Sequence, residues 1–158
     1  MSQNASPSAD AIEFAYEVKA LVPALNAALA EVFHPIGLSC VQADALMALE
    51  ERQPATLSGL AQHLVAESGH PSRLVSRLEA MGLVRREGSP HDGRASLLTL
   101  TAEGAAKAAA ARRSREPLAH DLAARHGDVL RRITAELRML RGELEGSREA
   151  RPLLSAAP

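Results

Sequence analysis

Tryptophan is missing from the 158 residues, and one tyrosine and two phenylalanines are the whole aromatic complement. Any ring-stacking selectivity must therefore come from Phe14, Tyr16 and Phe33. A single cysteine, Cys40, excludes an internal disulfide framework, and without a Cys-x-x-Cys pair there is no sign of structural zinc or dithiol chemistry. No apolar run is long enough to cross a bilayer, and the first residues, MSQNASPS, lack both a basic region and an apolar signal core. No membrane partner and a cytoplasmic location are the expectation. The six histidines, at 34, 63, 70, 91, 120 and 126, show no ligand-pair spacing on one helix. His-Glu-x-x-His, phosphate-cradling Gly-Lys loops, Rossmann glycines and the nucleophile elbow are all missing too. The chain is expected to be no enzyme and to use no metal and no cofactor.

Net charge is almost absent as well, at −1, so overall basicity does not announce nucleic acid. The placement of charge is more informative. Residues 1–66 carry two basic side chains, Lys19 and Arg52, against seven acidic ones, whereas residues 105–151 carry eleven basic and seven acidic. The middle is balanced, but its arginines cluster on one helix face and on the hairpin that follows it.

At this length one core is expected. Residues 1–9, rich in Ser, Ala and Pro, are expected to be disordered. Asp10 is a plausible cap for a helix whose apolar residues, from Phe14 to Val32, recur at helical spacing to about Phe33, with a kink at Pro23. Ser39 and Gln42 have the spacing of a capping box, which predicts a second helix to about Glu51 with Leu46 and Leu49 inward. Thr56 should cap a third helix carrying Leu57, Leu60, Ala61 and Leu64. Thr101 should cap a long alanine-rich helix, bent near Pro117 and ending by His126 and Gly127, and Asp128 should cap the last one. In that last helix Leu130, Ile133, Leu137, Leu140 and Leu144 are spaced 3, 4, 3, 4, the seam of helices that pack along one another.

The stretch from Leu57 to Gly104 organises the rest. Leu74, Val75, Leu78 and Met81 mark one helical face, while Arg73, Ser76 and Arg77 share the opposite one. Gly69-His70-Pro71 fixes the start of that helix, since proline is tolerated in a first turn. Gly82 suits its end. Leu83–Glu87 and Ala95–Thr101 read as two short strands around a polar tip, a wing. Guanidiniums on such a face suit a DNA groove, because arginine donates two parallel bonds to guanine or to phosphate.

Asp92 to Gly104, DGRASLLTLTAEG, resembles the D-x-R…L-T-x-x-G signature of the MarR family (multiple antibiotic resistance regulators). Ser72 to Glu79, SRLVSRLE, followed by Gly82-Leu83-Val84, is similar to that family's recognition helix. The Gly69-His70-Pro71 start departs from it. The resemblance is specific over this central stretch and architectural over the flanking helices. It implies a mainly α fold with a small β-wing: a winged helix-turn-helix domain over 37–104, dimerisation helices over 10–36 and 105–146, and a flexible tail over 147–158. It further implies a sequence-specific transcriptional regulator, a repressor, acting as a homodimer on a pseudo-palindromic operator.

On that resemblance the DNA-binding residues are Ser68, His70, Ser72, Arg73, Ser76 and Arg77 of the recognition region and Asp92 and Arg94 of the wing, with Asp92 orienting Arg94. His70, at the groove end, serves as a donor to DNA or merely caps the helix. The Leu130 to Leu144 seam carries dimerisation. A small-molecule effector pocket would draw on Phe14, Tyr16 and Phe33, unless these rings are dimer core. Two alternatives stand beside this. Cys40, one residue after the Ser39 cap, could be a redox sensor, since amides and helix dipole there favour a thiolate. A winged helix could instead serve protein contacts alone, although the arginines of its exposed face argue against that.

Overall fold

Three hydroxyls start three of the helices, each by accepting a backbone N–H that the first turn leaves without a partner. In the computed structural model, which describes residues 6–64, 70–88 and 96–149, Ser39 accepts from Gln42 N while the Gln42 side chain accepts from Ser39 N, a complete capping box at the head of α2 (Cys40–Arg52). Thr56 Oγ1 accepts from Gly59 N at 3.0 Å and starts α3 (Leu57–Ala61). Thr101 Oγ1 accepts from Gly104 N at 3.0 Å and starts α5 (Ala102–Glu149). Between the last two lie α4 (Pro71–Ala80) and the strands β2 (Val84–Gly88) and β3 (Ser96–Leu100).

The chain opens on α1 (Pro7–Phe33) and a 3-10 turn (His34–Ile36). The helix begins earlier than Asp10. Ser6 is its extended cap residue and Pro7 occupies the first helical position, where a missing N–H costs nothing. Residues 7–9, expected to be disordered, are its first turn. Pro117 is also different from expectation, because it lies inside α5 with helical backbone angles. The break comes at His126 (φ −136°, ψ 16°), next to Gly127, where the sequence predicts a helix end.

Two compact units result, residues 1–116 and 117–158. The first contains the core, in which Phe33, Leu46, Leu49, Leu60, Val75, Leu78, Leu83 and Leu98 are buried together with Ala108 and Ala111 of α5. Its sheet has three strands, with β3 in the centre between β2 and a further short strand, β1 (Ala55–Thr56), all antiparallel. The added strand pairs Ala55 with Leu98 and Thr56 with Leu97. Beside it the Gln53 side chain accepts from Leu100 N at 2.7 Å, extending the ladder by one bond. Arg112 joins α5 to α2 by donating to Glu50 (2.7 Å) and Glu51 (3.3 Å). Lys107 donates to the Ile36 carbonyl that ends the 3-10 turn.

Met81 was expected in the apolar stripe of α4. The helix ends at Ala80, so Met81 is its C-cap and more than a third of its surface is exposed. No single helix among the described residues is long and apolar enough to cross a membrane.

Candidate nucleic-acid interface

Helix α4 is amphipathic by simple arithmetic. Leu74, Val75 and Leu78 are buried, and residues on the opposite side, Ser72, Arg73, Ser76, Arg77 and Ala80, are exposed. The one carboxylate of the helix, Glu79, is held off that face by Arg86 of β2, which donates to it at 3.0 and 3.4 Å. Both side chains are about one-third exposed, so the pair contributes little to stability but fixes where the negative charge points. Neither Arg73 nor Arg77 forms an ion pair among the described residues. The face therefore presents two guanidiniums and two hydroxyls, with no free acid.

The orientation of α4 is set at its C-terminal end. Gly82 (φ 71°) turns the chain out of the helix, with Gly82 N donating to Glu79 O and Leu83 N donating back to Leu78 O at 2.9 Å. Thr101 then ties this turn to the end of the wing. Its hydroxyl donates to Gly82 O at 2.6 Å and its backbone N–H donates to Leu83 O at 3.1 Å. Gly104 completes the junction, since a Cβ there would stand 1.9 Å from Leu83 O. The T-x-x-G spacing is thus a joint: a cap, a strap on the turn after α4, and a residue without a side chain where two backbones meet. Replacing Thr101 by Val removes both side-chain bonds at near-equal size. Helix α5 should fray at its start, and stability should fall by about 1–2 kcal/mol in urea unfolding.

A second tie lay beyond sequence reasoning. Gln42 is buried, and while its oxygen completes the capping box its Nε2 donates to Met81 Sδ at 3.4 Å. The box is visible as a spacing of three, but a bond between residues 39 positions apart leaves no local signal.

His70 stands at the head of α4 as the N-cap residue and is exposed, yet its side chain makes no capping bond. Ser68, Asp92 and Arg94 lie outside the described residues. Leu130, Ile133, Leu137 and Leu144 are exposed and Leu140 is partly so, a continuous apolar stripe in the second unit. The three aromatics do not share a site: Phe33 is fully buried in the core, while Phe14 and Tyr16 are exposed and two residues apart, on different sides of α1.

Cavities lie elsewhere in the first unit. One of about 180 Å³ sits between α2, β1 and α3, with Ala48, Ala55 and Leu60 in its walls. It shares Ala48, Arg52 and His63 with a second, of about 280 Å³, to which Asp44, Glu51 and Arg115 also contribute. Among the described residues no group of three His, Cys, Asp or Glu side chains is placed to hold a metal ion.

Cys40 occupies the first position of α2, where the amides and helix dipole predict a lowered thiol pKa. The shift runs the other way. Burial raises it, the Asp44 carboxylate raises it further, and a backbone hydrogen bond opposes both only in part. The thiol donates to Asn26 O at 3.5 Å, as a neutral S–H does. Alkylation of Cys40 by iodoacetamide at pH 8 should be slower than that of a free cysteine, because less thiolate is present; an equal or faster rate would restore the redox alternative.

Residues 36–95 match the sequence profile of the MarR family. Comparison with curated protein sequences finds no match. Among solved structures, the chain is similar to a mutant of Escherichia coli MarR complexed with operator DNA, with a TM-score of 0.75 at 21% identity over 86% of this chain and 99% of that one. It is also similar to Staphylococcus aureus MepR in a DNA complex (0.74, 17% identity, 82% of this chain and 97% of that one). A third is the Mycobacterium tuberculosis transcriptional regulator MOSR in complex with DNA (0.68, 24% identity, 82% and 96%). At these identities the likeness is one of fold, and it extends over helices that the sequence profile does not reach.

Proposed function

We propose that the chain is a member of the MarR family, whose sequence profile matches residues 36–95, and that it is a sequence-specific DNA-binding transcriptional regulator rather than an enzyme. The observation that carries this is the exposed face of α4, Arg73 and Arg77 with Ser72 and Ser76, from which Glu79 is drawn away by Arg86. A helix fits the major groove of B-form DNA, and phosphate contacts supply much of the affinity in such complexes. Ser68 and His70 at the head of α4 and the Asp92 and Arg94 pair of the wing belong to the same proposed interface, with Arg94 entering the adjacent minor groove.

The regulator acts as a homodimeric repressor in the cytoplasm, with the winged domain over 37–104 and the helices over 10–36 and 105–146 serving dimerisation. Support for the dimer comes from α1, where Ile12, Leu21, Val22 and Leu25 are exposed, and from the Leu130 to Leu144 stripe. A single chain leaves more apolar helix surface uncovered than a monomer usually does. A module for protein contacts alone is disfavoured by the same cationic face.

In mobility-shift titrations the wild type should prefer a duplex enriched from a random pool over its scrambled version, and Arg77→Ala should bind that duplex about tenfold or more weakly. Equal affinity of wild type for both duplexes would end the proposal. Release of DNA by a small molecule requires a ligand that binds the DNA-incompetent arrangement more tightly. The paired cavities around Arg52 and His63, rather than the aromatic rings, are the place for it. A thermal-shift screen of phenolic acids, antibiotics and peroxides, with DNA-release assays on the hits, tests this. If no compound changes DNA affinity, the effector is dropped.

A further inference from the structure

We propose that α4 reads two guanines about two base-pair steps apart in each half-site, Arg73 taking one and Arg77 the other. The inference rests on the DNA-binding function proposed above and adds what that DNA must contain. It follows from what the exposed face offers and what it omits. Bidentate recognition of adenine needs Asn or Gln, and α4 has neither. Cytosine is read by a carboxylate, and the only one on α4, Glu79, is occupied by Arg86 on the flank of the helix. Arginine remains, and its fork matches the O6 and N7 acceptors of guanine.

The spacing supplies the second half. Arg73 and Arg77 are one helical turn apart, which is about 6 Å along the axis and only about 40° around it. Stacked base pairs are about 3.4 Å apart along one strand, so two guanidiniums on one stripe meet edges roughly two steps apart. Arg73 stands opposite the buried stripe of Leu74, Val75 and Leu78, the direction that goes deepest into a groove, and Arg77 lies beside it. The other exposed residues of that face, Ser72, Ser76 and Ala80, have short side chains.

Selection from a random duplex pool by the full-length protein, followed by sequencing, tests this. Wild type should enrich half-sites containing two guanines about two steps apart on one strand. Arg73→Ala should lose the preference at one guanine and Arg77→Ala at the other, each by roughly tenfold, while preferences elsewhere in the half-site persist. An enriched sequence without that guanine pair overturns the inference and leaves DNA binding standing. So does a variant that weakens all sequences equally and lowers the salt dependence by about one ion, the behaviour of a phosphate contact. A pool that shows no enrichment at all removes the DNA-binding function and the inference with it.

Discussion

Gly104→Ala should destabilise the protein by about 3 kcal/mol, a loss of roughly 6–12 °C in melting temperature for a chain of this size. Two effects compete. Alanine is the better helix former by about 1 kcal/mol, and position 104 is in the first turn of α5, so propensity alone predicts a gain. The new Cβ, however, would stand 1.9 Å from Leu83 O and 2.8 Å from Leu83 C, atoms of backbone that no rotamer change can move. Relief requires α5 to shift away from the turn after α4, and that shift also loosens the Thr101 bonds to Gly82 and Leu83. Steric exclusion therefore outweighs propensity. Because the same joint fixes the end of α4, affinity for DNA should fall in Gly104→Ala beyond the fraction unfolded. Gly142→Ala supplies the contrast: nothing lies within 4 Å of its Cβ position, so that substitution should stabilise by about 0.5–1 kcal/mol. Urea unfolding of the two variants reads the opposite signs directly. A Gly104→Ala protein as stable as wild type would mean that the two backbones do not approach this closely.

This joint shows which parts of the fold are legible in the sequence. Ser39, Thr56 and Thr101 are readable as caps because a cap is a local event, a hydroxyl three residues before an unpaired amide. The buried stripe of α4 and the two wing strands are readable for the same reason, since period and turn chemistry are written within a few residues. What escapes depends on distance in sequence. Strand β1 is two residues long and exists only because β3, some 40 residues on, offers it a free edge. The Gln42 bond to Met81, the Gln53 bond to Leu100 and the Arg112 fork on Glu50 and Glu51 are likewise fixed by tertiary placement. At Cys40 the helix start is where the sequence predicts it, but burial, and after it the Asp44 carboxylate one turn later, push the thiol up rather than down. The burial of Phe33 is likewise invisible in the sequence, because an apolar ring near a helix end is as available to the core as to a ligand.

If the proposed homodimer is built on the Leu130 to Leu144 stripe, Leu137→Glu should sediment as a monomer at micromolar concentration where the wild type sediments as a dimer. Leu137 lies at the centre of the stripe formed by Leu130, Ile133, Leu140 and Leu144, and four of these five side chains are exposed in the single chain. Contact of two such stripes buries them, and a carboxylate in their midst then has neither water nor a partner cation, which costs several kcal/mol. Two related copies double the loss, so the dimer dissociation constant should rise by at least two orders of magnitude. DNA binding should follow. A dimer reads two half-sites about 34 Å apart at once, whereas a monomer is left with one and loses the linkage between them. Ala135→Glu places the same charge on the opposite side of the same helix, at an exposed position two residues from the stripe, and should leave both dimer and operator affinity intact. Sedimentation of the three proteins, followed by footprinting on one duplex, separates the outcomes. If Leu137→Glu remains dimeric, the stripe is not the interface; if the wild type sediments as a monomer and protects one half-site, the protein does not need a partner copy to read DNA.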